Sequence, residues 1–248
     1  MKRRPQCELC AAKAGAPRIA RRNFLQLAGI AAGLAIAQPA FAKETKTPPK
    51  PENVLSPDAA LDRLMKGNTR YIDGLTKRHD FKNEREVLSK GQNPFAAVLS
   101  CADSRIAPEL CFDTARGDVF VCRVAGNFTN DDIVASLEYA VQVLNTPLIM
   151  VLGHEACGAV DATIKSIKDG TTLPGHLPAL VAALRPAVEA VKDKSGDLLA
   201  NAIRSNVTLT VDKLKGTAPI LKSFADDNKI RVVGGIYELK TGRVELLS

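Results

Sequence analysis

Two apolar runs, Pro94-Phe95-Ala96-Ala97-Val98-Leu99-Ser100 and Pro147-Leu148-Ile149-Met150-Val151-Leu152-Gly153, constrain this chain more than any other feature. Each has the length of a strand and is apolar at nearly every position. That is the pattern of a strand buried on both faces, as in a parallel sheet covered on two sides, rather than one alternating against solvent. Each run opens directly onto metal-binding residue types: the first onto Cys101-Ala102-Asp103-Ser104-Arg105, the second onto His154-Glu155-Ala156-Cys157. In open α/β sheets ligands gather just past the carboxyl ends of strands, and both half-sites fall there.

Two thiolates, one imidazole and one carboxylate are the donors zinc takes. Three firm ligands with one labile position mark a catalytic site, whereas a structural site reads as paired C-x-x-C units. The candidate ligands are therefore Cys101, Asp103, His154 and Cys157. Asp103 is close enough to Cys101 either to bind the metal or to accept a hydrogen bond from a hydroxide on it. Arg105 offers a planar fork that can hold that carboxylate off the metal. A zinc held this way lowers the pKa of bound water toward about 7. Cys111 and Cys122 read as small buried hydrophobes. His79 and His176 read as solvated, and Glu155 and Asp161 as exposed acids at a helix start.

The remaining pattern is α/β. Ser56-Pro57-Asp58 starts a helix whose apolar residues Ala60, Leu61, Leu64 and Met65 run toward Gly74, an N-terminal helical arm. A short helix follows the first half-site, then a strand over 119–124 and a helix over 131–144 with Ile133, Val134, Leu137, Ala140, Val141 and Leu144 on one face. This alternation argues for a mostly parallel central β-sheet flanked by helices, with right-handed crossovers. Past Cys157 helical stretches reach about Phe224, interrupted at Pro174, Pro178 and Pro186. Residues 230–238 and 243–247 then form a hairpin over Lys240-Thr241-Gly242.

Residues 1–42 read as a leader. Arg21-Arg22-Asn23-Phe24-Leu25 precedes a mild apolar stretch, and Pro39-Ala40-Phe41-Ala42 offers small residues for cleavage, the pattern of a twin-arginine signal peptide. The expectation is export, to a periplasm or otherwise out of the cytoplasm. The apolar stretch is too short and too rich in Ala and Gly for a stable membrane anchor. The leader holds seven Lys or Arg and one Glu, a net of +6, so of the whole-chain +7 about +1 remains for the rest. The basic balance belongs to the leader and gives no support for a nucleic-acid partner. Cys7-Glu8-Leu9-Cys10 lies there too, without a second pair. Residues 43–55, with Pro48, Pro49 and Pro51, read as an exposed linker, and 56–248 as one zinc domain.

Taken with Lys90-Gly91-Gln92-Asn93-Pro94, Gly117-Asp118-Val119-Phe120-Val121-Cys122-Arg123-Val124-Ala125-Gly126-Asn127 and Val232-Val233-Gly234-Gly235-Ile236-Tyr237-Glu238-Leu239, the two half-sites resemble the β-class carbonic anhydrases over roughly residues 56–246. The resemblance implies that fold, one Zn2+ per chain on Cys101, His154 and Cys157, and a catalytic dyad of Asp103 and Arg105. It also implies substrate-binding roles for Gln92, the Gly158 backbone N–H, Phe120 and Tyr139. The implied reaction is the reversible hydration of carbon dioxide to bicarbonate and a proton by a zinc-bound hydroxide, in a homodimer or homotetramer. Ala125 stands where some members carry valine. Members that close in acid build a bicarbonate pocket around a tryptophan; this chain has none and carries Val98 three residues before Cys101, which implies the open type. Two alternatives stand beside this reading. One is a carbon disulfide or carbonyl sulfide hydrolase on the same fold; the other is a non-catalytic zinc-stapled interaction module with Asp103 as permanent fourth ligand.

Overall fold

A computed structural model of the chain describes residues 48–247. The leader, with Arg21-Arg22 and Cys7 to Cys10, and the first part of the linker lie outside the described residues. Among the described residues no helix is long and apolar enough to cross a membrane. In chain order the elements are α1 (Pro57–Ile72), α2 (Phe81–Leu88), β1 (Ala96–Ser100), α3 (Pro108–Cys111), β2 (Val119–Arg123), α4 (Asp131–Gln142), β3 (Leu148–His154), α5 (Gly158–Asp169), α6 (Leu177–Glu189), α7 (Leu198–Gly216), α8 (Ile220–Asp226), β4 (Arg231–Tyr237) and β5 (Val244–Leu247).

The strands form one sheet in the order β2-β1-β3-β4-β5. The β1/β2, β1/β3 and β3/β4 pairs are parallel and the β4/β5 hairpin is antiparallel. β1 and β3 are central and wholly buried, as their unbroken apolar runs require. Alternate side chains divide between two cores. Ala97, Leu99, Ile149 and Val151 pack with Leu137 of α4, Val160 of α5, Leu184 of α6 and Val207 of α7. Ala96, Val98, Leu148, Met150 and Leu152 face Ala60, Leu61 and Leu64 of α1 and Ile106 and Phe112 around α3.

α1 begins where the sequence places it, with the Ser56 hydroxyl accepting from Ala59 N–H and Pro57 in the first turn. Its buried Asn68 donates to the carbonyls of Cys111 and Gly242 and accepts from Val244 N–H, tying the arm to β5. One residue earlier a β-carbon on Gly67 would stand 1.9 Å from the Phe112 carbonyl oxygen, which is backbone and cannot swing aside. Gly67→Ala is expected to cost about 3 kcal/mol through overpacking, or roughly 6–12 °C in thermal melting for a domain of this size. Gly216→Ala is the control, because nothing lies within 4 Å of its added carbon. Equal melting of the two variants would mean that α1 does not dock at Phe112.

Three expectations are corrected. The described part of the linker is not simply exposed: Lys50 and Asn53 are buried, and their side chains donate to the buried Asp118 carboxylate at 2.9 and 3.1 Å. Three donors from outside its own turn, Arg63 among them, offset the desolvation of that charge. Pro186 does not interrupt the chain, since α6 runs through it to Glu189; the burial of Val181, Leu184, Ala187 and Val188 outweighs one missing backbone bond. His79 is not freely solvated but lies against Phe81, with ring centroids 5.7 Å apart, and 3.9 Å from Asp113. Cys111 and Cys122 are buried as expected and, among the described residues, have no disulfide partner; burial raises both thiol pKa values.

Candidate metal centre

The carboxyl ends of β1 and β3 meet beside the start of α5. Cys101 follows β1, His154 closes β3, and Cys157 is the residue before the first turn of α5. Their ligand atoms all lie within 4.8 Å of one another and all three residues are buried. The tight return from His154 to Cys157 puts Ala156 at φ 51°, a left-handed conformation strained for a residue with a β-carbon.

The imidazole tautomer is fixed by its neighbour. His154 Nδ1 lies 2.8 Å from the Glu155 carbonyl, which only accepts, so Nδ1 carries the proton and Nε2 presents a lone pair. That Nε2 is fully buried and has no hydrogen-bond partner among the described residues. A buried orphan acceptor is costly unless something binds it, and here it faces two sulfur atoms. Cys101 is the sulfur driven toward thiolate. Its pKa is lowered to about 4, first by the Cys157 thiol, then, against burial, by His154 and by the Gly126 N–H, which lies 3.2 Å from Sγ. Cys157 is pushed up, by sharing its proton with Cys101 and by burial. A divalent cation removes that competition by ionising both thiols, so these donors fit zinc.

Asp103 lies outside the three-residue cluster. Its Oδ1 accepts from Arg105 Nε at 2.9 Å and from the Arg105 backbone N–H at 2.9 Å; its Oδ2 accepts from Arg105 Nη2 at 2.7 Å. The Arg105 guanidinium holds the Asp103 carboxyl well below the usual carboxylate range. Oδ2 is 3.9 Å from His154 Nε2, close enough to act on a group seated at the cluster. Arg105 Nη2 also donates to the Ala156 carbonyl at 3.3 Å, joining the two half-sites. Asp103, expected among the ligands or as an acceptor beside them, stands next to the three-residue cluster with both carboxylate oxygens hydrogen-bonded to Arg105. Gly158 is the first residue of α5, where a backbone N–H has no intrahelical acceptor, and the space beside its α-carbon is open to 4 Å.

Gln92, Phe120 and Tyr139 are not brought to the cysteines within one chain. Gln92 precedes β1 while Cys101 follows it, about 17 Å away along the strand. Phe120 pairs with Ala97, roughly 13 Å back from Cys101. Its ring centroid is 6.4 Å from that of Tyr139, which is 47% exposed on α4.

Three contributors were missed in the sequence. Arg123 donates to three carbonyls of the Cys101–Ile106 loop. Gly126, at φ 83°, supplies the N–H to Cys101 Sγ, and a β-carbon there would meet Leu184 at 2.8 Å. Asn206, buried in α7, donates to the Gly126 carbonyl at 2.8 Å and so holds the glycine from its other peptide. Arg-x-x-Gly was visible within residues 117–127, but it acts through peptide groups, the carbonyls that Arg123 grips and the N–H of Gly126, which leave no sequence signal; Asn206 left none at all.

Comparison with known proteins agrees with this geometry. The sequence model of the family described as carbonic anhydrase matches residues 96–244. "Carbonic anhydrase 2" of Mycobacterium tuberculosis is 36% identical over 192 residues, covering 77% of this chain and 93% of that protein. A carbonic anhydrase of Mycolicibacterium smegmatis is 35% identical over 194 residues, 78% of this chain and 94% of its own. Among solved structures, the β-carbonic anhydrase CcaA superposes with a TM-score of 0.59 at 27% identity, over 76% of this chain and 95% of its own. A tetrameric β-carbonic anhydrase of Sordaria macrospora, at 22% identity, a TM-score of 0.58 and coverage of 77% and 95%, shares the fold.

Proposed function

The chain belongs to the β class of carbonic anhydrases, and from that premise we propose that it carries out the zinc-dependent reversible hydration of carbon dioxide to bicarbonate and a proton at Cys101, His154 and Cys157. The observation that carries this reading is the buried, unpartnered His154 Nε2 set between two sulfurs with the Asp103–Arg105 pair beside it. Held by Cys101, His154 and Cys157, zinc would supply the chemistry of making a hydroxide nucleophile available from water near neutral pH. The chain's own residues do the rest. Glu155 C=O fixes the imidazole tautomer and Gly126 N–H steadies the Cys101 sulfur. Asp103 Oδ2 accepts a hydrogen bond from the attacking group and orients its lone pair toward carbon, while Arg105 keeps the carboxylate ionised and aimed. The Gly158 N–H, at the positive end of α5, donates to a bicarbonate oxygen.

Gln92, Phe120 and Tyr139 bind substrate across a subunit boundary, in a homodimer or homotetramer. β2 is an edge strand, and Tyr139 on the helix beside it and Val143 at that helix's end stand exposed, a surface suited to burial against a second copy. Stopped-flow hydration of carbon dioxide tests the function, run beside sedimentation and beside carbonyl sulfide and carbon disulfide as substrates. Turnover of the sulfur compounds without hydratase activity would overturn it.

The chain is exported folded by the twin-arginine route and cut after Ala42, a reading supported by Arg21-Arg22 before Phe24 and the mild apolar stretch. Replacing both arginines by lysine is expected to leave uncut precursor inside the cell, read by fractionation and immunoblot. Undiminished export of that variant would point to the general secretory route.

A further inference from the structure

We propose that Arg123 is the positioning residue that registers the Asp103–Arg105 pair against the metal cysteine, an inference that rests on the hydratase reading above. Arg123 ends the edge strand β2, opposite Ser100 of β1. Its guanidinium reaches across the end of β1 into the loop that carries the first half-site. Nε donates to the Cys101 carbonyl at 3.0 Å; Nη2 donates to the Asp103 carbonyl at 2.7 Å and the Ile106 carbonyl at 2.9 Å.

Three carbonyl oxygens converging on one point repel one another, and a planar cation with several donors is what holds them there. The loop is otherwise irregular, tied by Ala102 N–H to the Val124 carbonyl and Ile106 N–H to the Asp103 carbonyl, both at 3.2 Å. One side chain therefore grips the peptide of a metal ligand and the peptide of the catalytic acceptor together. The separation of the Cys101 sulfur from the Asp103 carboxylate is set from outside the cluster. Arg123 is itself exposed at the sheet edge, and the β1/β2 ladder pairs five residues without its side chain. Its contribution is thus to geometry more than to core stability.

The test uses the zinc-loaded protein with Arg123→Met, which keeps the apolar stem and removes every donor, and Arg123→Lys, which keeps the charge without the fork. Arg123→Met is expected to retain one zinc per chain and to lose it to a chelator at the wild-type rate. Its kcat should fall roughly 10- to 100-fold with KM little changed, since misplacement by about 1 Å costs on the order of 100-fold. Arg123→Lys should recover part of the loss. A readout apart from activity is the Arg105 Nε–H resonance, held on Asp103 Oδ1 in the wild type; in Arg123→Met it should broaden and exchange faster with solvent. A lowered melting temperature with kcat and that resonance unchanged would make Arg123 merely structural and overturn the proposal. Zinc loss in proportion to activity would also overturn it, by placing the effect on Cys101 rather than on the pair. A wild-type protein without hydratase activity would instead overturn the function, and the Arg105 resonance would still decide the role of Arg123.

Discussion

Cys157→Ala protein, purified without added metal, is expected to contain well under one zinc per chain and to hydrate carbon dioxide at the background rate. The cluster has three donors within 4.8 Å of one another, so losing one leaves a thiolate and an imidazole. Asp103 is a poor replacement, because Arg105 anchors its carboxylate through both oxygens beside the cluster rather than in it. Changes one layer outside a metal's ligands already weaken binding about 10- to 100-fold, and removal of a ligand exceeds that. Cys122→Ala is the control: Cys122 is a buried thiol of the same core, outside the cluster, and its variant should keep its zinc. Elemental analysis of the two proteins decides the matter, and stoichiometric zinc in Cys157→Ala would withdraw that residue from the ligand set.

What the sequence revealed and what it concealed divide along a physical line. Cys101, His154 and Cys157 could be read because few residue types bind zinc, and because the apolar runs before them announce buried parallel strands whose ends must lie together. Asp103 and Arg105 could be read because a carboxylate and a guanidinium two residues apart on such a loop are natural partners. Arg123, Gly126 and Asn206 could not, since each acts through a peptide group, and peptide groups are the same at every position. α2 escaped notice for another reason: it is short, and its apolar residues Phe81, Val87 and Leu88 sit only at its two ends, too few to show a helical period. Gln92, Phe120 and Tyr139 were legible only through family resemblance, and one chain by itself leaves them away from the cysteines.

Arg105→Ala is expected to keep its zinc and lose hydratase activity by about 100- to 1,000-fold, in the range typical for removal of a positioned acid–base or charge-stabilising group. The reason lies in how the two carboxylate oxygens are held. Oδ1 keeps the backbone N–H of residue 105 after the substitution, but Oδ2 loses Nη2, the donor it has within this pair. The freed Oδ2 already stands 3.9 Å from His154 Nε2 and needs only a small rotation to enter the donor cluster as a fourth ligand. A carboxylate there displaces the reacting group, and a cobalt-substituted sample should report the added oxygen ligand. The link from Arg105 to the Ala156 carbonyl is lost as well, so the two half-sites are no longer tied through one side chain. Arg105→Lys should rescue only partly, because a point charge cannot meet both oxygens in one plane. Asp103→Asn should also keep zinc and lose activity to a similar degree. The double variant should be no worse than either single one, since both remove the same unit. Near-normal turnover in Arg105→Ala would show the pair to be an ordinary ion pair at a strand end, and would leave the orientation of the nucleophile to the Gly158 N–H and the partner copy.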